Sequence, residues 1–197
     1  MIYKNYIWDL GGTLLNNYEA STHAFVTVLF RHGVVCLHDE IYAALKISTA
    51  YAVEQFASNI PDFLAEYKKQ EAVSLEKPIL FDGAKETLGK IIEAGGKNFM
   101  ISHRDKQVLS ILENAEIVQY FSEVVTSDNK FPRKPKPDSI NYLLEKYKLD
   151  KHETVMIGDR EIDIEAGKSA GSDTIFFDSL IENQQATYSI HSLREVF

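Results

Sequence analysis

Asp9 is the residue of this sequence whose type and position most suggest chemistry. It ends the apolar stretch of residues 6–8 and is followed by Gly11 and Gly12. These apolar residues are typical of a β-strand, so the carboxylate of Asp9 would lie at the end of that strand. The two glycines would let backbone amides approach an anion closely. Asp and Gly are also ordinary turn residues, so Asp9 qualifies as a nucleophile only if other segments supply partners.

Ser102 ends a second apolar stretch, residues 98–101. Its hydroxyl could donate a hydrogen bond to a phosphate oxygen, or it could simply cap the following helix. If the two strands are parallel neighbours, Ser102 and Asp9 lie at the same edge of the sheet. In open α/β sheets that edge is where ligands bind.

Residues 131–138 concentrate three cations, Arg133, Lys134 and Lys136, in a chain that is acidic overall. The three prolines of this segment hold it extended. A lysine held in this way can neutralise charge on an attacking carboxylate and a transferring phosphoryl group. We assign that role to Lys134 and expect the other two cations to be solvated.

Asp159 and Asp163 follow a fourth apolar stretch, residues 154–157, with Gly158 between. Two carboxylates four residues apart at a helix start share one face and repel each other unless a cation lies near them. Together with Asp9 they form an all-oxygen set of the kind that Mg²⁺ prefers. Asp163 alone could instead stabilise the helix N-terminus.

The elements that must position these residues follow a βαβ pattern, because short apolar strands alternate with amphipathic helices from residue 97 onward. We therefore predict an α/β fold. Its Rossmann-like parallel sheet core is formed by residues 1–15 and 81–197, and a helical cap is inserted over residues 16–80. The predicted strands are residues 6–8, 98–101, 123–126, 154–157 and 174–177.

Within the insertion, Ser21 and Asp39 are the predicted N-caps of the first two helices. Gly33 would end the first helix, and Pro61 suits the first turn of the fourth. These four short helices would form a small bundle.

Composition excludes several classes of function. The net charge of −8 argues against nucleic acid or an anionic membrane surface as the main partner. The single Cys36 fits a reducing compartment, and the apolar run at residues 24–30 is far short of the ~20 residues of a membrane span. We expect a cytoplasmic protein, a monomer or homodimer, that acts on a small molecule.

The four segments, in their order, resemble the motifs of the haloacid dehalogenase superfamily of aspartate-nucleophile phosphotransferases. The resemblance implies that Asp9 attacks phosphorus, that Ser102 holds a phosphoryl oxygen and that Lys134 steadies both. It also implies a Mg²⁺ cofactor bound by Asp9 and Asp159, with Asp163 in support. The insertion resembles the C1-type cap of the branch that contains phosphoglycolate phosphatases and β-phosphoglucomutases, so we expect a phosphatase of a small phosphorylated substrate.

Gly11 departs from the family pattern, in which this position is a second aspartate that acts as general acid and base. By resemblance the position also gives its backbone carbonyl to Mg²⁺, which a glycine still can do. His103 is a second departure, because the family commonly has Asn there. Gly12, His103 and Lys46 are the predicted substrate-binding residues; Lys46 is included because its surroundings resemble a substrate-sensing cap loop of the phosphoglucomutase branch.

Three interpretations follow from the missing aspartate. A hydrolase could obtain its proton from His103, His23, Lys46 or the substrate. A phosphonatase could form a Schiff base on Lys46, although the residues around Lys46 do not resemble the lysine motif of that subfamily. A dehalogenase is less favoured, because such an enzyme does not need the acidic metal site. A non-catalytic module could bind Mg²⁺ and a phosphorylated ligand or a partner protein.

Overall fold

A single sheet of six strands forms the centre of the computed structural model, which describes residues 3–197 apart from the side chain of Leu75. The strands lie in the order β3-β2-β1-β4-β5-β6, and every neighbouring pair is parallel. The predicted α/β class with a parallel sheet is confirmed. The strands are β1 (Asn5–Trp8), β2 (Lys97–Ile101), β3 (Phe121–Val125), β4 (Thr154–Gly158), β5 (Asp173–Phe177) and β6 (Tyr188–Ile190).

All five predicted strands are present, with ends that differ by at most two residues from the observed ones. Every residue of β1 and β4 is buried, as expected for parallel strands covered on both faces. The sixth strand, β6, was not predicted. It has three residues at the sheet edge and is only partly buried, so it carries no apolar run from which a strand could be inferred.

Eight α-helices occur in the described part of the chain, and none of them combines the length and apolarity needed to cross a bilayer. Amphipathic helices are present after residue 97, as predicted: residues 107–114 bury Val108 and residues 138–147 bury Ile140. The helices are α1 (Asn17–Arg31), α2 (His38–Ile47), α3 (Thr49–Phe56), α4 (Phe63–Leu75), α5 (Ala84–Glu93), α6 (Gln107–Asn114), α7 (Asp138–Tyr147) and α8 (Glu161–Ala170).

The chain divides into two compact units. The sheet and α5–α8 belong to one, formed by the residues up to Leu15 together with Leu80–Phe197, and α1–α4 form the other, Asn16–Ile79. The helical unit has its own core, in which the ring of Phe25 lies 4.6 Å from that of Phe63 and 5.1 Å from that of Tyr67.

The predicted helix starts in this unit were wrong. Helix α1 begins well before Ser21, whose hydroxyl donates instead to the buried carboxylate of Glu71 at 2.7 Å. Helix α2 begins at His38, so Asp39 lies in its first turn and is not its cap. Pro61 precedes the cap residue of α4 and is outside the helix. At Ser21 the buried hydrogen bond to Glu71 overrides the local capping preference; Asp39 and Pro61 are exposed, and burial does not explain their positions.

The two chain segments that connect the units run side by side. Leu15 and Leu80 form an antiparallel bridge, and the amide of Phe81 donates to the carbonyl of Leu14 at 2.9 Å. The chain therefore leaves the sheet-containing unit and returns to it at one place.

Asn98 is a buried polar side chain that joins three parts of the sheet-containing unit. Its Oδ1 accepts a hydrogen bond from the Trp8 indole at 2.9 Å, and its Nδ2 donates to the carbonyl of Leu88 at 3.1 Å. It thereby links β1, β2 and α5, and it is the hydrogen-bond partner of the buried Trp8 indole N–H.

Asn98→Leu is expected to lower the free energy of unfolding by about 1–3 kcal/mol, because it leaves the Trp8 indole N–H buried without its partner. Urea denaturation followed by the fluorescence of Trp8, the single tryptophan, measures the change. The same substitution at exposed Asn141 on α7 should change stability by no more than about 0.5 kcal/mol. Equal effects at the two positions would contradict the role given to Asn98.

Candidate active site

Three adjacent central strands end in polar residues at the same edge of the sheet. In the register of the sheet, Trp8 is opposite Met100 of β2 and Ile157 of β4, so Asp9, Ser102 and Asp159 are all just beyond the strand ends. Strand order reverses between β1 and β4, and such a switch point opens a crevice that binds ligands in open α/β sheets.

The turn after β1 uses its two glycines differently. Gly12 has a φ of 88°, which favours glycine, and its amide donates to the carbonyl of Leu15 at 2.9 Å. Within residues 3–197, the amides of Leu10 and Gly11 donate to no backbone carbonyl. We expected both glycine amides to face a ligand. The Gly12 amide instead closes the turn, so the amides of Leu10 and Gly11 are the ones left to donate to a ligand.

Lys134 is the centre of the charge arrangement. It is buried, and its Nζ forms ion pairs with Asp9 and Asp163. Burial alone would lower the pKa of Lys134, but Asp163 and Asp9 outweigh it and raise the pKa above its ordinary value. The ammonium group therefore keeps its proton. Its neighbours Arg133 and Lys136 are exposed, as predicted.

The carboxylates of Asp9, Asp159 and Asp163 converge, each offering an oxygen that lies within 4.8 Å of the others, and all three residues are buried. The Thr13 hydroxyl donates to Asp159 at 3.2 Å, and the Arg160 amide donates to Asp163 at 3.2 Å. Sequence reasoning missed Thr13, although a hydroxyl directly after the two glycines is the signal that could have found it.

Gly158, the last residue of β4, leaves room for the Asp163 side chain of α8. A Cβ at this position would collide with the Asp163 side chain. The absence of a side chain is what lets Asp163 lie against the sheet edge.

The charges of this cluster do not balance. Three carboxylates outnumber the Lys134 ammonium group and the Arg160 guanidinium group, which also acts on Asp163, by one formal charge. Burial raises the pKa of the Asp163 carboxyl above its usual value, although Lys134 and Arg160 oppose that shift. A buried set of oxygen donors that lacks positive charge is the chemistry that a hard divalent cation such as Mg²⁺ satisfies. The residues present therefore fit Mg²⁺.

Ser102 and His103 directly follow β2, and His103 contacts the backbone of Lys134. Ser102 is buried and its Oγ accepts the Arg104 amide at 3.2 Å, leaving its own proton to donate. His103 Nε2 accepts the backbone amide of Lys134 at 3.0 Å, which places the ring proton on Nδ1. Burial first, and then Lys134, lower the pKa of His103 to about 4. At neutral pH His103 is uncharged, which makes it a poor proton donor.

A cavity of about 200 Å³ opens beside Ser102 and His103. Its wall mixes apolar rings with hydroxyl groups and one guanidinium group. The remaining lining residues are Ile101, Val125, Thr126, Ser127, Phe131, Pro132, Arg133 and Ser139.

The other predicted substrate and proton-donor residues, His23 and Lys46, belong to the helical unit. His23 is exposed on α1 and lies 3.4 Å from Glu19, and Lys46 is in the last turn of α2. The structure thus brings Asp9, Ser102, Lys134, Asp159 and Asp163 together within one unit, whereas His23 and Lys46 are part of another.

The comparison with protein families decides the identity. Residues 6–177 match the model described as haloacid dehalogenase-like hydrolase. The chain belongs to this family. The resemblance inferred from the four motifs is therefore confirmed.

Two solved structures are similar to this chain over most of its length. A hydrolase from Streptococcus pneumoniae TIGR4 is 54% identical, over 91% of this chain and 95% of that one, with a TM-score of 0.79. A family hydrolase from Deinococcus radiodurans R1, solved with bound phosphate and sodium, shares the fold at 19% identity, over 99% of this chain and 93% of that one, with a TM-score of 0.83.

Among curated relatives, the phosphoglycolate phosphatase of Vibrio parahaemolyticus is 37% identical over 93 residues. The match covers 47% of this chain and 41% of that enzyme. The chain therefore aligns with less than half of the length of this relative.

Protonation of His103 is expected to destabilise the fold. Its pKa in the folded state is about 4, compared with an ordinary value of 6.5, so between these values the unfolded chain binds more protons. Stability should fall as the pH drops through this window. A histidine-ring NMR titration should give a midpoint near 4 for His103; a midpoint near 6.5 would contradict the prediction.

His103→Gln is the matched variant, because an amide oxygen can still accept the Lys134 amide hydrogen. Its unfolding free energy should depend less on pH across the same window.

Proposed function

We propose that this haloacid dehalogenase-like chain is a Mg²⁺-dependent phosphatase of small phosphorylated metabolites that forms an aspartyl-phosphate on Asp9. One observation carries the proposal: the buried Lys134 ammonium group is ion-paired with both Asp9 and Asp163 at the carboxyl edge of the central strands. The phosphoglycolate phosphatase relative and the phosphate bound to a structural relative support a phosphorylated substrate.

In the proposed first step, an Asp9 carboxylate oxygen bonds to phosphorus as the bond from phosphorus to the leaving oxygen breaks. The leaving group departs with the electron pair. The Lys134 ammonium group stabilises the charge that gathers between Asp9 and the phosphoryl oxygens. The Ser102 hydroxyl and the amides of Leu10 and Gly11 are the donors available for those oxygens.

In the second step, water attacks phosphorus, the bond to Asp9 breaks, and inorganic phosphate leaves with Asp9 restored. Asp9, Asp159, Asp163 and the Gly11 carbonyl would hold Mg²⁺. When bound, the ion supplies positive charge that offsets the carboxylates and the phosphate. The carboxylates of Asp159 and Asp163 are held in place by the Thr13 hydroxyl and the Arg160 amide.

Gly11 determines which substrates this site can turn over. It has no side chain to protonate a leaving alkoxide or to activate the water of the second step, and His103 is uncharged at neutral pH. Losing a positioned acid or base costs about 10²–10⁴ in rate. We therefore propose that the natural substrate has a leaving group of low pKa or supplies its own proton.

We further propose that the helical unit, residues 16–79, is a C1-type cap that selects the substrate, with Lys46 as a substrate-sensing residue. Support comes from its position in the chain, inserted between β1 and α5, and from the family membership.

Asp9→Asn is expected to abolish Mg²⁺-dependent hydrolysis of p-nitrophenyl phosphate, because an amide cannot serve as the nucleophile. This substrate suits the site, since p-nitrophenolate leaves without protonation. Release of p-nitrophenolate is measured with Mg²⁺ and with excess EDTA, and EDTA should abolish it.

Asp150→Asn is the matched control, because Asp150 precedes β4 at the opposite edge of the sheet and an asparagine oxygen can still accept the His152 amide. Its rate should equal that of the wild type. Activity that persists in Asp9→Asn would refute the nucleophile, and an inactive wild type would favour a non-catalytic binding module.

Gly11→Asp is expected to raise steady-state turnover by up to about 10²–10⁴, because it restores a group that can activate water against the aspartyl-phosphate. The backbone permits the change, since Gly11 is not among the residues with positive φ. In the wild type, rapid-mixing kinetics with p-nitrophenyl phosphate should show a burst of about one p-nitrophenolate per site, because dephosphorylation is slow.

Gly11→Asn has nearly the same size but cannot transfer the proton, and should keep both the burst and the slow turnover. Equal rates for Gly11→Asp and Gly11→Asn would contradict the missing-base explanation.

A further inference from the structure

A second group of metal-ligating side chains lies wholly within the helical unit. It consists of Glu19, His23 and His38, whose ligand atoms all lie within 4.8 Å of one another. Glu19 and His23 are four residues apart on α1 and therefore on one face, and His38 is the first residue of α2. The packing of α2 against α1 thus adds a third donor to a pair that one helix already presents.

The spacing of the donors suits a small divalent ion. The Glu19 Oε1 lies 3.4 Å from His23 Nε2 and 3.1 Å from His38 Nε2. Ligands at the usual zinc distances in a tetrahedral site are separated by about 3.4 Å. The histidine rings lie 5.5 Å apart, so an ion could contact both without large rearrangement.

The His38 ring is oriented toward the other two ligands. Its Nδ1 lies 3.0 Å from the Asp39 carboxylate, the carboxylate–histidine arrangement that commonly fixes a metal-binding imidazole. Among the described residues, His38 Nε2 has no hydrogen-bond partner although it is shielded from solvent. The Asp39 and Glu19 carboxylates raise the pKa of His38 above its ordinary value, so the ring lies where positive charge is favoured, and a bound cation would supply that charge in place of a proton.

We propose that Glu19, His23 and His38 form a binding site for a borderline divalent transition-metal ion, with Zn²⁺ as the type case. Two imidazoles and one carboxylate favour such ions over Mg²⁺, which prefers oxygen ligands. The side chains of His23 and Glu19 are 71% and 45% exposed, so an ion can enter from solvent and complete its coordination with water. The site is independent of the proposed phosphatase activity.

Titration of the full chain with Zn²⁺ in the presence of excess Mg²⁺ tests the proposal. Calorimetry should show saturable binding at one equivalent, and ring NMR signals should shift for His23 and His38 among the six histidines. His23→Ala and His38→Ala should each weaken affinity by at least tenfold, and Asp39→Asn, which loosens the ring orientation, by about 10–100-fold. Asp159→Asn should leave this Zn²⁺ affinity unchanged, which separates it from the carboxylate cluster of the sheet.

His32→Ala is the matched control. His32 also faces a carboxylate, that of Glu66 at 3.1 Å in the same unit, but it belongs to no three-ligand group in the described chain. Its removal should not change Zn²⁺ affinity. Undetectable binding, ring shifts confined to other histidines, or equal loss of affinity in His32→Ala and His23→Ala would overturn the proposal.

Discussion

The ion pairs of Lys134 with Asp9 and Asp163 are the constraint on which the active-site end of the sheet depends. Burying an ionised carboxylate costs several kcal/mol unless opposite charge accompanies it, and strand order places three carboxylates together. Lys134 supplies one positive charge from the loop that precedes α7, and Gly158 keeps Asp163 close enough to share it. The remaining excess of negative charge is what the proposed Mg²⁺ would offset, and the proposed phosphate would then bind against that ion.

The candidate site contains a group that neutralises charge but no side chain positioned to transfer a proton at neutral pH. Lys134 is held protonated by its two carboxylates, His103 is held neutral, and Gly11 has no side chain. The site is therefore rich in fixed charge and poor in groups that titrate near neutral pH. In the proposed phosphatase the leaving group would therefore determine specificity as much as the shape of the pocket does.

Much of the architecture could be predicted from the sequence, because parallel strands buried on both faces leave continuous apolar runs, and the polar residue that ends each run marks the binding edge. That reasoning found Asp9, Ser102 and Asp159. It could not find β6, which has too few residues for a pattern, or the true start of α1, where Ser21 serves the buried Glu71 rather than the helix end. Nor could it show that the Gly12 amide closes its own turn, since that depends on the three-dimensional path of residues 10–15.

The bridge between Leu15 and Leu80 has a consequence for how this fold can diversify. The chain leaves the sheet-containing unit and returns to it at neighbouring points. The length and helix arrangement of residues 16–79 can therefore change without altering the register of any strand. The entropy lost in closing a longer insert grows only slowly with its length. Mutations among residues 16–79 can thus create binding sites for new ligands, including a metal ion, without changing the sheet or its carboxylates.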